Sequence, residues 1–335
     1  MIVKARHSLQ EPGGLVTAVA SAAAFGPSGT FATSLLRAGW TPAAAVAVRL
    51  LIASMALTVP AIRRMRAHPG AVRRGWHTIA LYGLIPVAGG QLCYFEAVQH
   101  LSVAVALVLE YSGTILVVAW MWARHHQVPT RTTVVGGSAA IAGVALALGL
   151  AGNHRLSPLG VLWGLGAAVC LATYFVVSAR ESDEHMPSLL MAWGGLSLGA
   201  FSILAVGAAG LLPLGASGTS TVLAHAKVSV AVPLVGIGLL SGAFAYVTGI
   251  AAARLLGART ASFVGLAEVA FAAVYASMLL GEQLTSTQML GGALVVGGIA
   301  LVRLGEPDRP TAGGAGPAVG SPVAPTGEAE ALRAA

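Results

Sequence analysis

Residues 103–122 read VAVALVLEYSGTILVVAWMW, and the only charged side chain in this stretch is Glu110, at its eighth position. An α-helix rises 1.5 Å per residue, so about 20 apolar residues cross the hydrocarbon core of a bilayer, which is about 30 Å thick. The stretch therefore predicts a transmembrane helix. A carboxylate inside such a helix is costly to bury, and residues of this kind commonly mark the pathway of an ion or a substrate.

The rest of the chain has the same apolar character. Of its 335 residues, 56% are hydrophobic and 9% are charged, whereas about 25% of the residues of an average soluble protein are charged. Ten apolar stretches of about transmembrane length follow one another, at residues 15–36, 42–62, 78–98, 103–122, 133–150, 159–179, 189–212, 232–252, 261–280 and 287–304. The sequence therefore predicts an all-α polytopic membrane protein with ten transmembrane helices.

The positive charges lie mostly on one side of these predicted helices. With the N-terminus inside, fifteen of the 19 Lys and Arg residues fall in cytoplasmic segments, and only Arg37, Arg155 and Lys227 fall outside. This bias follows the positive-inside rule and predicts a protein of the inner or plasma membrane with both termini in the cytoplasm. The net charge of +7 is explained by this topology, so we expect no nucleic-acid partner.

The charge bias makes a direct topological prediction. Reporter fusions made after Arg74, Arg131 and Ala335 are expected to score as cytoplasmic, and a fusion in the loop around Lys227 is expected to score as external. An external score at Ala335 would show that the count of ten helices is wrong.

Two lone acids occupy matching positions in the chain. The stretch VALVLEYSG contains Glu110 and the stretch SFVGLAEVA contains Glu268, each at the eighth position of its predicted span. Downstream, TVVGGSAAIAGVALAL resembles QMLGGALVVGGIALVR. We therefore predict two five-helix repeats, at residues 15–151 and 158–304. Because five is odd, the second repeat enters the membrane from the opposite side, and such inverted repeats bind substrate near the midplane.

The two ends of the chain lie outside these predicted repeats. Residues 1–14 form a short N-terminal segment. Residues 305–335 are rich in Pro, Gly and Ala and contain no apolar run, so we expect a disordered cytoplasmic tail.

Several other polar side chains inside the predicted spans are candidates, with the two acids, for binding substrate or protons; they are Arg49, Gln91, Tyr94, Tyr111 and Tyr246. Arg49 lies eight residues into the second span. Because its guanidinium does not readily lose its charge, it needs an anion or water as a partner. The sequence leaves two partners open, namely Glu96 in the third span and a substrate carboxylate.

The first span is interrupted by FGPSGTF, residues 25–31. Proline removes a backbone donor, and the freed carbonyls are tolerated at membrane depth only beside protein or a wet cavity. The stretch is consistent with a broken helix at a transport pathway and with a kink packed on its neighbours.

The letters GPSG within that stretch also match the G-x-S-G of intramembrane serine proteases. A nucleophilic Ser28 needs a base, and all nine histidines lie in tails, loops or span ends. We therefore expect no enzyme. The chain also contains no phosphate-binding loop, and we expect no cofactor and no metal site.

The stretches AVRLLIASM (47–55), AVALVLEYSG (104–113) and GEQLTSTQMLGGALVVGGIALV (281–302) resemble the EamA family of the drug/metabolite transporter superfamily. Within that family, the segment around Glu110 is similar to the threonine/homoserine exporter type. The resemblance covers residues 15–304. It departs from that type at Thr114 and Val269, where the exporter type has a proline soon after each acid.

The resemblance implies a secondary active transporter that exports small amino acids or related metabolites by alternating access, driven by a gradient such as that of protons. Its partners are then a small-molecule substrate and the lipid bilayer. Efflux of cationic drugs is the alternative within transport, and an intramembrane enzyme or a passive channel are alternatives outside it. The sequence makes no prediction of the oligomeric state.

Overall fold

The computed structural model describes residues 2–101, 103–126, 128–147, 157–180, 186–224, 226–280 and 286–304. Among these residues the chain is mostly helical. The helices of the first half are α1 (Ile2–Phe25), α2 (Ser28–Arg37), α3 (Pro42–Ala67), α4 (Ala71–Arg74), α5 (Trp76–Tyr82), α6 (Gly90–His100), α7 (Val103–Tyr111), α8 (Gly113–His125) and α9 (Arg131–Ala147). A π-helical segment, Gly83–Gly89, joins α5 to α6.

The helices of the second half are α10 (Pro158–Ser178), α11 (Ser188–Ala208), α12 (Ala231–Gly238), α13 (Ala245–Gly265), α14 (Ala267–Leu280) and α15 (Ser286–Leu304). A second π-helical segment, Leu239–Phe244, joins α12 to α13. Both π-helical segments therefore lie in the third helix of a predicted repeat.

Within the described residues, seven helical segments are long and apolar enough to cross a membrane; they are Gly13–Arg37, Pro42–Ala67, Trp76–His100, Val105–Arg124, Pro158–Ser178, Ser188–Ala208 and Ala231–Gly265. Three shorter apolar helices, Arg131–Leu146, Ala267–Leu279 and Met289–Val302, fall in the predicted fifth, ninth and tenth spans. The predicted fifth span ends at residues 148–150, which lie outside the described part, as does the tail of residues 305–335. The count of ten transmembrane helices and the inverted repeat stay predictions.

The helices that carry the two lone acids are both interrupted. The chain turns at Ser112 between α7 and α8, and at Leu266 between α13 and α14. Thr114 and Val269 replace the prolines of the exporter type, so proline does not cause these breaks. At the first break, the Ser112 hydroxyl donates to the Leu109 carbonyl oxygen over 2.6 Å, a local bond that competes with the helical ladder.

The first predicted span is also broken, at the position that FGPSGTF indicates. α1 ends at Phe25, a turn occupies Gly26 and Pro27, and α2 begins at Ser28. Gly26 is tightly packed, because a Cβ added there would lie 2.8 Å from Cβ of Phe271 on α14. α13 contains a further break at Gly257, whose φ of 80° is a conformation that glycine adopts without strain.

Small residues bring α9 and α15 close together. A Cβ added at Gly136 would lie 2.7 Å from the Gly298 carbonyl oxygen, and a Cβ added at Gly143 would lie 2.7 Å from the Gly291 carbonyl oxygen. Such glycine contacts let the backbones of two membrane helices approach closely, which increases van der Waals contact. This contact stabilises the pair in a bilayer, where the hydrophobic effect does not drive helices together.

A short β-hairpin departs from the predicted all-α fold. Strand β1 (Ser220–Leu223) pairs antiparallel with strand β2 (Ala226–Ser229) in the connection between α11 and α12. Thr221 donates to the Ser34 carbonyl oxygen over 2.7 Å, and Trp40 donates to the Gly218 carbonyl oxygen over 3.2 Å. The connection therefore packs against α2 and the chain between α2 and α3.

Candidate functional site

A cavity with about 820 Å³ of space between its atoms lies among the helices of both halves. Its walls come from α1, α2, α3, α6, α7, α10, α13 and α14, and from the first π-helical segment. Every residue predicted for the site borders it: Arg49, Gln91, Tyr94, Glu110, Tyr111, Tyr246 and Glu268.

Glu110 reaches this cavity from the C-terminal end of α7, two residues before the break at Ser112. Its side chain is half-buried. Among the described residues it has no hydrogen-bond partner, and its carboxylate borders the cavity. Glu110 is therefore placed to receive a proton or a positively charged group from the cavity.

Glu268 borders the same cavity from the opposite half of the chain. It lies in the first turn of α14, two residues after the break at Leu266. A carboxylate there is stabilised by the free amides and the dipole of the helix N-terminus. The Tyr111 hydroxyl donates to the Glu268 carboxylate over 2.6 Å. This bond joins α7 of the first half to α14 of the second half.

The two acids are therefore not equivalent, although the sequence places them at matching positions. The residue that follows Glu110 is Tyr111, which holds Glu268, and the residue that follows Glu268 is Val269, which has no hydroxyl to offer in return. One acid is held across the two halves, and the other faces the cavity without a hydrogen bond from the described residues.

Arg49 is the positively charged residue that borders the cavity, and its side chain is fully buried, at 0% exposure. Its guanidinium donates to the Ser28 hydroxyl over 3.0 Å, to the side-chain oxygen of Gln91, and to the Ser241 carbonyl oxygen over 2.7 Å. Gln91 in turn donates to the Tyr246 hydroxyl over 3.1 Å. Arg49 thus links four separate helical segments through hydrogen bonds.

These contacts exclude Glu96, one of the two partners that the sequence left open for Arg49. Glu96 lies on α6 and is half-buried, and it is not among the hydrogen-bond partners that the described residues provide to Arg49. The Arg49–Glu96 pair, which the sequence left as one of two alternatives, is absent from the described residues. The buried Nε of Arg49 has no hydrogen-bond partner there, and the two terminal nitrogens donate to neutral oxygens instead. A backbone carbonyl of a π-helical segment, at Ser241, is one of them.

Two residues of this network were missed as partners of Arg49. Ser28 stands in the stretch FGPSGTF, where the broken helix turns its hydroxyl toward Arg49, and its position beside an interrupted helix was the available signal. Ser241 could not be found in the same way, because it contributes a main-chain oxygen. Its hydroxyl donates to the Ala24 carbonyl oxygen over 2.7 Å, at the end of α1.

The remaining walls of the cavity are largely apolar and aromatic. Besides the three tyrosines of the predicted site, they include Phe25, Tyr174 and Phe175. No histidine is among the described residues that border the cavity. The group that hydrogen-bonds Ser28 is a guanidinium, which is a donor and not a base. The geometry of Ser28 is thus that of a structural acceptor.

These features define a class of protein, namely a multi-pass helical membrane protein with a polar cavity between the two halves of its described chain. The model of the EamA-like transporter family matches residues 12–149 and 158–304. The chain belongs to this family, and its sequence-based resemblance to it is confirmed. The family establishes the chain as a membrane transporter.

Two individual proteins show the same likeness. The chain is 24% identical over 229 residues to an uncharacterized transporter from Archaeoglobus fulgidus, covering 67% of this chain and 74% of the relative. It is also similar to a protein of known crystal structure, with a TM-score of 0.69 and 19% identity, over 87% of this chain and 96% of that one. The second likeness shows the fold alone. Neither match names a substrate, so the threonine/homoserine exporter type stays a prediction.

Proposed function

We propose that this protein is a secondary active transporter that exports small molecules carrying an amino group, such as small amino acids or related metabolites, in exchange for protons. The observation that carries the proposal is the position of Glu110 and Glu268, which border one cavity from the two halves of the chain. A carboxylate holds either a proton or an ammonium group, so binding of one releases the other. Such competition couples the two movements.

The proposed architecture is two inverted repeats of five helices, at residues 15–151 and 158–304. The packing supports it, because α1 packs on α13 while its counterpart α10 packs on α6. α3 packs on its counterpart α11, and α9 packs on its counterpart α15. The third helix of each half contains a π-helical segment, a feature often found at functional sites.

The glycines between α9 and α15 support the same pseudo-two-fold relation. Gly136 aligns with Gly291 in the sequence repeat, and Gly143 aligns with Gly298. Gly136 faces Gly298, and Gly143 faces Gly291. Exchanging the two halves turns the first contact into the second, as an axis in the membrane plane requires.

The proposed mechanism is alternating access, in which the two halves move about the cavity. The breaks at Gly26–Pro27, Ser112 and Leu266 interrupt three helices beside the acids, and such points absorb changes in backbone angle. The bond from Tyr111 to Glu268 crosses between the halves. We propose that it forms in one state of the cycle and breaks in the other.

The experiment that tests the proposal uses the purified full-length protein in liposomes. Vesicles are loaded with a panel of amino acids and organic cations, and a pH gradient is imposed. Exchange of a panel member for protons, with accumulation against its own gradient, is the expected result. Movement down a gradient only, without any response to pH, would instead indicate a passive channel and contradict the proposal.

The Tyr111 hydroxyl makes a separate prediction. Tyr111→Phe removes the bond to Glu268, and a hydrogen bond to a charged group contributes about 1.5–3 kcal/mol. We expect proton-driven transport to fall by about tenfold, which corresponds to about 1.4 kcal/mol, while the protein still folds. The rate of proton-driven uptake into proteoliposomes measures this.

The matched control for this variant is Tyr82→Phe. Tyr82 is also fully buried, but it does not border the cavity, so its loss of a hydroxyl should leave the transport rate within about twofold of that of the unmodified protein. Equal rates for the two variants would show that the cross-half bond has no part in transport.

A further inference from the structure

The positive charge that borders the cavity is not available to a substrate. Arg49 has no accessible surface, and its two terminal nitrogens donate to Ser28, Gln91 and the Ser241 carbonyl oxygen. The remaining donor, Nε, has no hydrogen-bond partner among the described residues but is buried, so a carboxylate in the cavity would have to displace Gln91 or Ser28, or open the packing around Nε, to reach the guanidinium. Displacing an established partner of a buried charge costs much of the energy that the new bond returns.

The negative charges have the opposite arrangement. Glu110 and Glu268 are both half-buried and border the open space. Arg49 lies close enough to interact electrostatically with both of them. When one acid is ionised it balances the charge of Arg49, and ionisation of the second gives these three groups one net negative charge. The cavity therefore offers a ligand acidic side chains and no exposed basic side chain among the described residues that line it.

The aromatic walls favour the same kind of ligand. Phe25, Tyr94, Tyr174, Phe175 and Tyr246 all border the cavity. Aromatic faces attract ammonium groups through their quadrupole, and quaternary ammonium ligands are commonly recognised in this way. Aromatic and aliphatic surface also accommodates the apolar body of an organic molecule.

From these observations we infer that the substrate is an organic cation with an apolar body and no carboxylate, bound between Glu110 and the aromatic side chains. This inference rests on the proposed proton-coupled export of amine-bearing solutes, and among these solutes it favours amines without a carboxylate over the amino acids that were named as examples. An α-amino acid is disfavoured because its carboxylate would lie among two acids without an accessible counter-charge. The alternative of cationic efflux, which the sequence left open, is thus the one that the side chains favour.

A matched pair of probes tests the inference. Phenethyltrimethylammonium and N,N,N-trimethylphenylalanine differ by one carboxylate, and both carry a permanent charge that prevents passive crossing of the bilayer. Phenylalanine serves as the third probe. Each is measured for proton-driven movement in proteoliposomes that contain the full-length protein, with protein-free vesicles as the blank.

We expect the cation to move at least about tenfold faster than either carboxylate-bearing probe at low concentration. Two like charges about 4 Å apart, at the effective dielectric constant of about 20 that is typical near a protein surface, repel each other by more than the free energy that corresponds to a tenfold difference. The cation should also raise the unfolding temperature of the detergent-solubilised protein, and the zwitterions should not.

Two other outcomes would overturn the inference. Proton-driven movement of phenylalanine or of the trimethylated zwitterion at a rate equal to or above that of the cation overturns the inference and leaves the proposed function in place. If none of the three probes moves with protons and none stabilises the protein, the inference is overturned, and a panel of other amine-bearing solutes then decides the proposed function separately.

Discussion

Glu110→Gln is expected to abolish uphill transport and to lower substrate exchange across the membrane together with it, because the amide offers no counter-charge to an ammonium group. Glutamine has the same shape as glutamate and can still form hydrogen bonds, but it cannot take up or release a proton. If Glu110 couples the proton gradient to substrate movement, the rate of concentrative transport should fall by at least about 100-fold. Removing a side chain that is positioned to donate or accept a proton typically lowers a rate by about that factor or more. Exchange and accumulation are measured on the same proteoliposomes.

Two other variants complete this experiment. Glu268→Gln should lower both activities less sharply, because Glu268 is already held by Tyr111. Glu96→Gln is the matched control, since Glu96 is half-buried in a helix of the same half but does not border the cavity. It should leave both activities nearly unchanged.

The pattern of loss distinguishes the possible roles of the acid. If exchange continues in Glu110→Gln while accumulation is lost, the carboxylate carries only the proton, and the proposed binding of the substrate ammonium at Glu110 is wrong. Near-normal values for both activities in Glu110→Gln and Glu268→Gln would mean that these acids only join helices, as polar residues in membranes can. That result would remove both residues from the site.

The positions of the cavity residues could be predicted from the sequence because membrane burial penalises charge strongly. A lone acid in twenty apolar residues has few stable surroundings other than a polar interior. The positions of Glu110 and Glu268 in a common polar interior follow from this cost of burying a charge. Gln91 and Tyr246 were candidates for a different reason, namely that they place hydrogen-bonding groups inside apolar spans, and the structure joins them by a hydrogen bond.

The partners of Arg49 could not be predicted in this way. Depth along a helix suggested Glu96, but depth alone does not say which face of a helix a side chain occupies. The actual partners depend on a broken helix at Ser28 and on a π-helical segment at Ser241. A main-chain carbonyl leaves no signature in residue identity, so this contact becomes visible only in three dimensions.

The helix breaks beside the acids could not be predicted from the sequence either. The resemblance gave no reason to expect these breaks, because the chain lacks the proline that the exporter type has soon after each acid. α7 and α8 are nevertheless separated at Ser112, where Gly113 lies against the main chain of Ala168 on α10. A Ser–Gly step and a close helix contact thus produce an interruption that a search for proline does not detect.

Arg49→Ala is expected to be the most destabilising single change in the cavity wall. It leaves the Ser241 carbonyl oxygen, the Gln91 amide oxygen and the Ser28 hydroxyl without their donor, and each buried group left unsatisfied costs about 1–3 kcal/mol. It also leaves an empty volume at a fully buried position. The total loss should be about 3–5 kcal/mol, as when one partner of a buried charge interaction is removed.

The loss is measured as the free energy of unfolding in mixed detergent micelles. Arg37→Ala is the control, because Arg37 is an exposed arginine at the end of α2 and its removal should change the free energy by less than about 0.5 kcal/mol. Glu96→Ala combined with Arg49→Ala should show no coupling, because residues without contact act additively. The loss of unfolding free energy in Arg49→Lys should lie between the losses in Arg37→Ala and Arg49→Ala. Lysine keeps the charge but lacks the planar guanidinium that reaches several oxygens at once.

A different outcome would give Arg49 a different role. In this outcome, the free energy of unfolding of Arg49→Ala equals that of the unmodified protein while transport alone is lost. The guanidinium then acts on the substrate, and a substrate carboxylate, the other partner that the sequence left open for Arg49, becomes the better explanation. The inferred selectivity for cations would then fail as well, since it depends on Arg49 being occupied by the protein. A large loss of stability together with a preference for the cationic probe supports both conclusions through independent measurements.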